Sequence, residues 1–149
     1  MAAIFIASSF CILTYINITV IHLLTASRIF VSVGLAGFFV LYFFRKKLNL
    51  SLLDGLFYNL FGTAPLLLSV FLIVNAQCSE TFTETYEIVN MENEGSGFTY
   101  ELSDSAYQDF WRIRNLSRDE ANNRYHRLKF TMCNGTLGYK VIRTREMTP

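Results

Sequence analysis

The sequence predicts an α-helical membrane protein, with three transmembrane helices followed by a small α+β extramembrane domain that contains antiparallel β-hairpins. The first observation is charge, because residues 1–77 contain one acidic and four basic side chains, whereas residues 78–149 contain 20 of the 25 charged side chains. The second is length, because residues 1–77 hold three apolar segments, each of about the 20 residues that cross the hydrocarbon core of a bilayer. We therefore divide the chain into a transmembrane region, 1–77, and an extramembrane domain, 78–149.

The apolar segments predict helices at about 3–24, 27–44 and 52–74. A single helix over residues 3–44 would be about 63 Å long, roughly twice the thickness of the hydrocarbon core, so the chain must reverse within it. The polar interruption Thr25-Ala26-Ser27-Arg28 is where we expect that reversal. The N-terminus has no basic residue before its apolar run, so we interpret it as a membrane helix rather than a cleaved signal.

The basic cluster Arg45-Lys46-Lys47 sets the predicted orientation of these helices. Basic residues that flank transmembrane helices are retained on the cytoplasmic side. The N-terminus is then cytoplasmic, Arg28 lies at the outer surface, and the third helix carries the chain out again. The domain 78–149 is therefore predicted to be extracytoplasmic, either periplasmic or extracellular.

The extramembrane domain begins with a predicted hairpin. Residues 84–90 are rich in strand-forming residues, and residues 98–102 alternate between apolar and polar side chains. The segment 92–97 between them has the Gly, Ser and Asn content of a loop. Tyr100 and its apolar neighbours two positions away, Phe98 and Leu102, should share one buried face.

Two capping boxes predict short helices after this hairpin. Ser105-x-x-Gln108 precedes aromatic residues at helical spacing, and Ser117-x-x-Glu120 opens a second helix that ends near Arg124. A capping box satisfies backbone N–H groups that the first turn of a helix leaves without partners. The order of elements is therefore strand, strand, two short helices, strand, strand.

The last two strands flank Asn134-Gly135, a strong signal for a two-residue hairpin turn. A two-residue turn would place Leu128 opposite Val141, with the neighbouring apolar residues of both strands on the same face. It would also place Lys129 opposite Lys140, and like charges in that position are unfavourable. The sequence leaves two solutions open, a splayed lysine pair or a bulge that shifts the register.

Cys78 and Cys133 are the two cysteines of the extramembrane domain, and Cys11 lies in the first helix. An oxidising compartment would allow Cys78 and Cys133 to form a disulfide across a loop of about 55 residues, which would contribute roughly 4 kcal/mol to stability. The alternative is two free thiols. No Cys-x-x-Cys pair is present, so the sequence does not support a thioredoxin-like or zinc site.

Polar side chains follow one face of the first predicted helix at spacings of three and four. This face is suited to packing against other helices through hydrogen bonds, and the alternative is a path for protons or ions. Its residues are Ser8, Cys11, Tyr15, Thr19 and His22.

Small residues in the second helix, Gly34 and Gly37, predict close approach of another helix. The third helix begins with polar residues, among them Asp54 and Asn59, which we expect in the membrane or at its interface. Pro65 interrupts the same helix, because proline removes a backbone hydrogen bond.

The composition argues against two classes of function. A net charge of +1 lacks the basic footprint of a nucleic-acid-binding protein, so no nucleic-acid partner is expected. No residues are arranged as a nucleophile with a base, and no metal-ligand spacing or cofactor motif occurs. We therefore expect no enzyme activity, no cofactor and no metal.

We predict a non-catalytic accessory or assembly subunit of a larger membrane complex, in contact with the lipid bilayer and with other integral membrane proteins. Phe110 and Trp111 are candidates for partner binding, since aromatic residues dominate interface energetics, although they also suit the domain core. The first alternative is a membrane-anchored sensor or ligand-binding protein. The second is a minor component of an ion or proton path.

Overall fold

Two compact units make up the fold in a computed structural model that describes residues 2–48, 51–93, 97–103, 107, 109–117 and 126–148. The helical unit comprises residues Met1–Ile16 and Ile21–Ala76. The sheet unit comprises Asn17–Val20 and Gln77–Pro149. A short segment near the N-terminus therefore belongs to the same unit as the C-terminal half of the chain.

The helical unit contains three apolar helices, as the sequence predicts. They are α1 (Ala2–Ile18), α2 (Leu23–Leu48) and α3 (Leu52–Asn75). By length and composition, α2 over Leu23–Phe44 and the whole of α3 are long enough to cross a membrane, whereas α1 is shorter, with 17 residues.

The reversal between α1 and α2 lies earlier than the predicted Thr25–Arg28, and those residues are instead part of α2. Thr19 forms an antiparallel β-bridge with Val141, and the Val20 N–H donates to the Lys140 carbonyl oxygen at 2.8 Å. The backbone of Thr19 and Val20 therefore bonds to the strand that contains Lys140 and Val141 instead of to a continuation of α1. Apolar composition did not reveal this, because it cannot distinguish a helical residue from one that pairs with a strand.

Helix α3 changes its hydrogen bonding where Pro65 interrupts the sequence. Leu52–Tyr58 and Ala64–Asn75 are α-helical, and Asn59–Thr63 between them forms a π-helical turn. The Ala64 N–H donates to the Asn59 carbonyl oxygen five residues earlier. Because proline has no N–H and its ring crowds the preceding turn, a wider turn is one way to keep the helix continuous.

Glycines of α2 face this π-helical turn. A Cβ atom added at Gly37 would overlap the Asn59 Oδ1 atom, whereas one at Gly34 would lie 3.6 Å from the Ala64 Cβ atom, an ordinary contact. Asn59 is 3% exposed, and its Nδ2 donates to the Gly55 carbonyl oxygen at 2.9 Å. The small residue at position 37 thus makes room for a buried, hydrogen-bonded amide.

The sheet unit contains five strands in the spatial order β3-β2-β1-β4-β5, and every neighbouring pair is antiparallel. Four strands are long, and β3 has three residues. A four-residue helix, α4 (Trp111–Arg114), precedes β3. The strands are β1 (Thr81–Asn93), β2 (Gly97–Leu102), β3 (Asn115–Ser117), β4 (Arg127–Asn134) and β5 (Lys140–Thr148).

The predicted strand pairs are present, and the first hairpin is longer than expected. Of the first capping box, Ser105 and Gln108 lie outside the described residues, and Trp111–Arg114 is the α-helical segment among the described residues that follow. Ser117 of the second box is the last residue of β3, and the remainder of that predicted helix lies outside the described residues.

The predicted two-residue turn at Asn134-Gly135 is wrong. The Gly135 N–H donates to the Tyr139 carbonyl oxygen at 3.0 Å, and the Gly138 N–H donates to the Gly135 carbonyl oxygen at 2.9 Å. This is a three-residue loop that ends in a left-handed residue, and Gly138 has the required positive φ of 88°. The favourable geometry of Gly138 therefore determines the turn, rather than the Asn-Gly pair before it.

The new register removes the like-charge pair that the shorter turn would impose. Lys129 lies opposite Glu146, with Nζ 3.9 Å from Oε2, and Lys140 lies opposite Asn134. A bulge follows between Thr131 and Met132, where β5 has one extra residue. Cross-strand pairs of opposite charge are mildly stabilising, so the register agrees with the charges.

One face of the sheet carries the core of the unit. Alternate residues of β4 are fully buried, as predicted from their spacing, together with residues of β2 and the segment that contains α4. The side chain of Phe98 lies outside the described part of the structure. The core residues are Tyr100, Leu102, Tyr107, Phe110, Ile113, Leu128, Phe130, Met132 and Ile142.

The Gly37–Asn59 contact leads to the first prediction. Gly37→Ala should destabilise the helical unit by about 1–3 kcal/mol, because the methyl group displaces a buried amide from its hydrogen bond. Reversible unfolding in mixed detergent micelles measures this difference in free energy. Gly34→Ala is the matched control in the same helix and should change stability by less than about 0.5 kcal/mol. Equal effects of the two substitutions would contradict the described packing.

Candidate functional site

A hydrogen-bonded network of four ionisable side chains lies on the core-facing side of the sheet. Glu84 and Tyr86 are two positions apart on β1 and so share a face. Glu84 Oε2 accepts hydrogen bonds from the Tyr86 hydroxyl at 2.6 Å and from the Tyr107 hydroxyl at 2.9 Å. Glu84 Oε1 accepts one from Lys140 Nζ at 2.7 Å. We call these residues the Glu84 network.

The network shifts the pKa of each of its members. Burial by itself would raise the pKa of Glu84, but hydrogen bonds from Lys140, Tyr86 and Tyr107 outweigh it and hold the pKa below its usual value. The hydrogen bond to Glu84 raises the pKa of Lys140 against the opposing effect of burial. Burial, followed by the bond to Glu84, raises the pKa of both Tyr86 and Tyr107.

These shifts favour a structural role for the network. A lysine nucleophile or general base requires a lowered pKa, and a tyrosine acid works best with a pKa near the ambient pH. Here the lysine and the tyrosines stay protonated and the carboxylate stays ionised over the neutral range. The network thus joins β1, β5 and the segment around Tyr107 through charge-assisted hydrogen bonds.

An open cleft of about 600 Å³ lies at the end of the sheet where β1 begins and the β4–β5 loop turns. Phe82 connects the cleft to the Glu84 network, because Lys140 Nζ lies 5.4 Å from the centre of its ring. The Thr136 hydroxyl donates to the Gln77 carbonyl oxygen and so fixes the loop against the start of the strand. The residues that line the cleft include Gln77, Cys78, Ser79, Glu80, Phe82, Asn134 and Thr136.

The predicted disulfide between Cys78 and Cys133 is present at this cleft, with Cα atoms 6.1 Å apart. Cys133 is completely buried, whereas Cys78 is half-buried and lines the cleft. Arg143 Nη2 donates to the Cys78 Sγ atom at 3.3 Å. Cys11 in α1 is a free thiol.

The predicted polar face of the first helix is only partly helical. Ser8 is buried and Tyr15 half-buried within α1. Thr19 and His22 lie beyond the end of that helix, and Thr19 is buried at its bridge to β5. The five residues of the predicted face, which include Cys11, therefore do not form one continuous face of a helix, because the segment after Ile18 pairs with the sheet.

The polar residues of α3 have local structural partners. Asp54 forms a capping box with Ser51, in which Ser51 Oγ accepts from the Asp54 N–H at 3.1 Å and Asp54 Oδ2 accepts from the Ser51 N–H at 3.3 Å. Asn59 is enclosed between α3 and Gly37 of α2. Both side chains thus contribute to the beginning and the packing of the helix.

Phe110, which the sequence offers both for partner binding and for the domain core, lies in the core. It is 7% exposed and belongs to the core of the sheet unit, where its ring centre lies 6.3 Å from that of Tyr107. An aromatic residue beside a short helix is more effective in the core of so small a domain than on its surface. The side chain of Trp111 lies outside the described part of the structure.

Sequence reasoning missed all four members of the Glu84 network. Period-two alternation along β1 places Phe82, Glu84 and Tyr86 on one face, and a carboxylate on an apolar face signals a buried partner. Its partners Tyr107 and Lys140 are 23 and 56 residues away in sequence. Only the tertiary fold brings them together.

No protein-family model, curated protein or solved structure matches this chain. Within the described residues, no group of three or more His, Cys, Asp and Glu side chains is placed to hold a metal ion. The geometry of the cleft, the disulfide and the helices is therefore the basis for any proposal about function.

The Glu84 network leads to the second prediction. Glu84→Gln should lower the free energy of unfolding by about 1–3 kcal/mol, because it removes the charge that three donors share. Glu87→Gln is the matched control on the same strand. Its ion pair with Arg127 spans 3.7 Å between largely exposed side chains, so the expected loss is below about 0.5 kcal/mol.

The same network predicts how stability depends on pH. Since folding lowers the pKa of Glu84, its contribution is full above the ordinary value of 4.5 and is lost as the pH falls through the folded pKa. Since folding raises the pKa of Lys140, that contribution is full below 10.5 and is lost as the pH rises through the folded pKa. Urea unfolding across pH should therefore show both losses, and Glu84→Gln should flatten the acidic one. An unchanged acidic limb would contradict the network.

Proposed function

We propose that this protein is a non-catalytic accessory or assembly subunit of a larger membrane protein complex. Its helices would lie in the bilayer beside the helices of a partner. Its sheet unit would lie outside the cytoplasm, in the periplasm or the extracellular space.

The distribution of polarity in the helical unit is the observation that carries this proposal. Large apolar side chains face outwards, such as Phe10 at 72% and Phe43 at 79% exposure. Among the described residues, four polar side chains of the unit are buried, Ser8, Asn59, Ser69 and Asn75, and the Ser69 hydroxyl donates to the Leu66 carbonyl oxygen at 2.7 Å. Exposed apolar surface on this scale is unfavourable in water and suits a lipid environment, where polar groups must be satisfied inside the protein.

The proposed orientation is supported by the positions of the basic cluster and the disulfide. Val20 and Gln77 belong to the sheet unit. Helix α2 begins three residues after Val20, and α3 ends two residues before Gln77. Arg45-Lys46-Lys47 lies at the opposite end of α2, where basic residues indicate the cytoplasm. The Cys78–Cys133 disulfide suits an oxidising compartment, such as the periplasm or the extracellular space.

The exposed face of α2 is the proposed contact with partner helices. Only 6% of its apolar span is buried within the protein, compared with 39% of the span in α3. Gly34 and Gly37 already face α3, so a partner would contact other residues of α2. Val31, Leu35 and Phe39 follow one another at intervals of four residues and are all exposed, which gives a continuous apolar ridge.

Purification through a C-terminal tag in a mild detergent, followed by mass spectrometry, tests this proposal. We expect at least one integral membrane protein in stoichiometric amount. Leu35→Trp should reduce its recovery roughly tenfold, because the added bulk on the α2 ridge costs more than about 1.4 kcal/mol of association. Leu66→Trp, at an exposed position of α3, is the matched control and should leave recovery unchanged. A protein that is stable and strictly monomeric would contradict the subunit proposal.

The cleft at the start of β1 favours a second candidate, a membrane-anchored sensor or ligand-binding protein. Its volume of about 600 Å³ is within the range of small-molecule sites, which commonly occupy about 300–1,000 Å³. The core beneath the sheet is packed with side chains, so a ligand would bind at this end of the unit. If no partner co-purifies, a screen of small polar ligands by thermal shift becomes the next experiment.

A further inference from the structure

The two sulfur atoms of the disulfide differ in access to solvent. Cys133 is at 0% exposure, between the core residue Met132 and the end of β4. Cys78 is half-buried, precedes β1, and lines the open cleft. A reagent in the cleft can therefore approach Cys78 Sγ, whereas Cys133 Sγ is shielded by the sheet.

The two sulfur atoms also differ in their polar neighbours. Arg143 places Nη2 3.3 Å from Cys78 Sγ, and a nearby guanidinium stabilises negative charge on sulfur. Cys133 Sγ lies 3.8 Å from the Val141 carbonyl oxygen, which can accept a hydrogen bond from a thiol but repels a thiolate. The surroundings thus suit charge at Cys78 and a neutral thiol at Cys133.

We propose that Cys78 is a thiol–disulfide exchange site, at which an external thiol or dithiol forms a mixed disulfide through the cleft. Arg143 is its positioning residue: it attracts the incoming thiolate and stabilises the thiolate that later leaves. The reactant belongs to the chemical class of dithiols, either a small molecule or an extended protein segment that the cleft admits.

The exchange proceeds in two balanced steps. A thiolate of the dithiol attacks Cys78 Sγ, a new S–S bond forms and the Cys78–Cys133 bond breaks, and the Cys133 sulfur takes up a proton from solvent as it leaves, which gives a neutral thiol. The second thiolate of the reductant then attacks the reductant's other sulfur, which is bonded to Cys78 in the mixed disulfide. Cys78 leaves as a thiolate beside Arg143. The protein gains two electrons and one proton, and a second proton is taken up when the Cys78 thiolate is protonated, while the reductant becomes a disulfide.

Trapping with reduced glutathione tests which sulfur is attacked. The full-length protein with Cys11→Ala, in mild detergent, is incubated with excess glutathione, acid-quenched at early times and analysed by peptide mass spectrometry. We expect roughly tenfold more glutathione on Cys78 than on Cys133, because access controls which sulfur reacts. Equal labelling, preferential labelling of Cys133, or adducts only after circular dichroism reports unfolding would each overturn the proposal.

Substitution of Arg143 tests its positioning role in the same assay. Arg143→Gln should slow the initial formation of the Cys78 adduct about threefold at low ionic strength, and 1 M salt should remove most of the difference. Arg143→Lys should restore the rate, because it restores the charge. Arg145→Gln is the matched control on β5, since its guanidinium donates to the Ile113 carbonyl oxygen at 3.2 Å. A salt-independent effect, or the same effect from both glutamine variants, would assign Arg143 a purely structural role.

Discussion

The need to satisfy buried polar groups inside the protein governs the helical unit. Pro65 removes one N–H from the middle of α3, and the π-helical turn Asn59–Thr63 rearranges the hydrogen bonds beside it. That turn holds the Asn59 amide against α2. Its Nδ2 donates to the Gly55 carbonyl oxygen within α3, and its Oδ1 leaves no room for a side chain at Gly37 of α2. A single proline, one amide and one glycine are therefore coupled, and the contact between α2 and α3 depends on all of them.

The sheet unit faces a different constraint, because a small domain has few residues with which to build a core. The Glu84 network and the Cys78–Cys133 disulfide add to the stability that its apolar core provides. Each of them connects β1, or the residues just before it, to segments that are distant in sequence. The chain-entropy contribution of a 55-residue loop is about 4 kcal/mol, comparable with the net stability of such a domain. Reduction at Cys78 would then matter to the whole unit.

The sequence is a good guide where a pattern is local. Apolar length predicts the helices, spacing predicts the buried face of β4, and two cysteines in one domain predict the disulfide. Sequence fails where a distant segment decides the outcome. Thr19 and Val20 leave the helical pattern because β5 supplies their backbone partners.

The β4–β5 turn and the Glu84 network show the same limit in different ways. Asn134-Gly135 is a strong local signal, but Gly138 permits a turn whose register also pairs Lys129 with Glu146. The charges of Lys129 and Glu146 are visible in the sequence, but only the register of the longer loop places them opposite each other. The hydrogen bonds from Lys140 and Tyr107 to Glu84 are tertiary contacts, and no spacing in the sequence predicts them.

Labelling of single engineered cysteines with a membrane-impermeant maleimide on intact cells tests whether the helical unit crosses the membrane with the sheet unit outside. In a Cys11→Ala background, Val89→Cys reports the sheet unit, where Val89 is 67% exposed, and Lys47→Cys reports the basic end of α2. We expect Val89→Cys to be labelled on intact cells and Lys47→Cys to be labelled only after the membrane is permeabilised. The reverse pattern, or labelling of both sites on intact cells, would contradict a helical unit that crosses the membrane with its sheet unit outside.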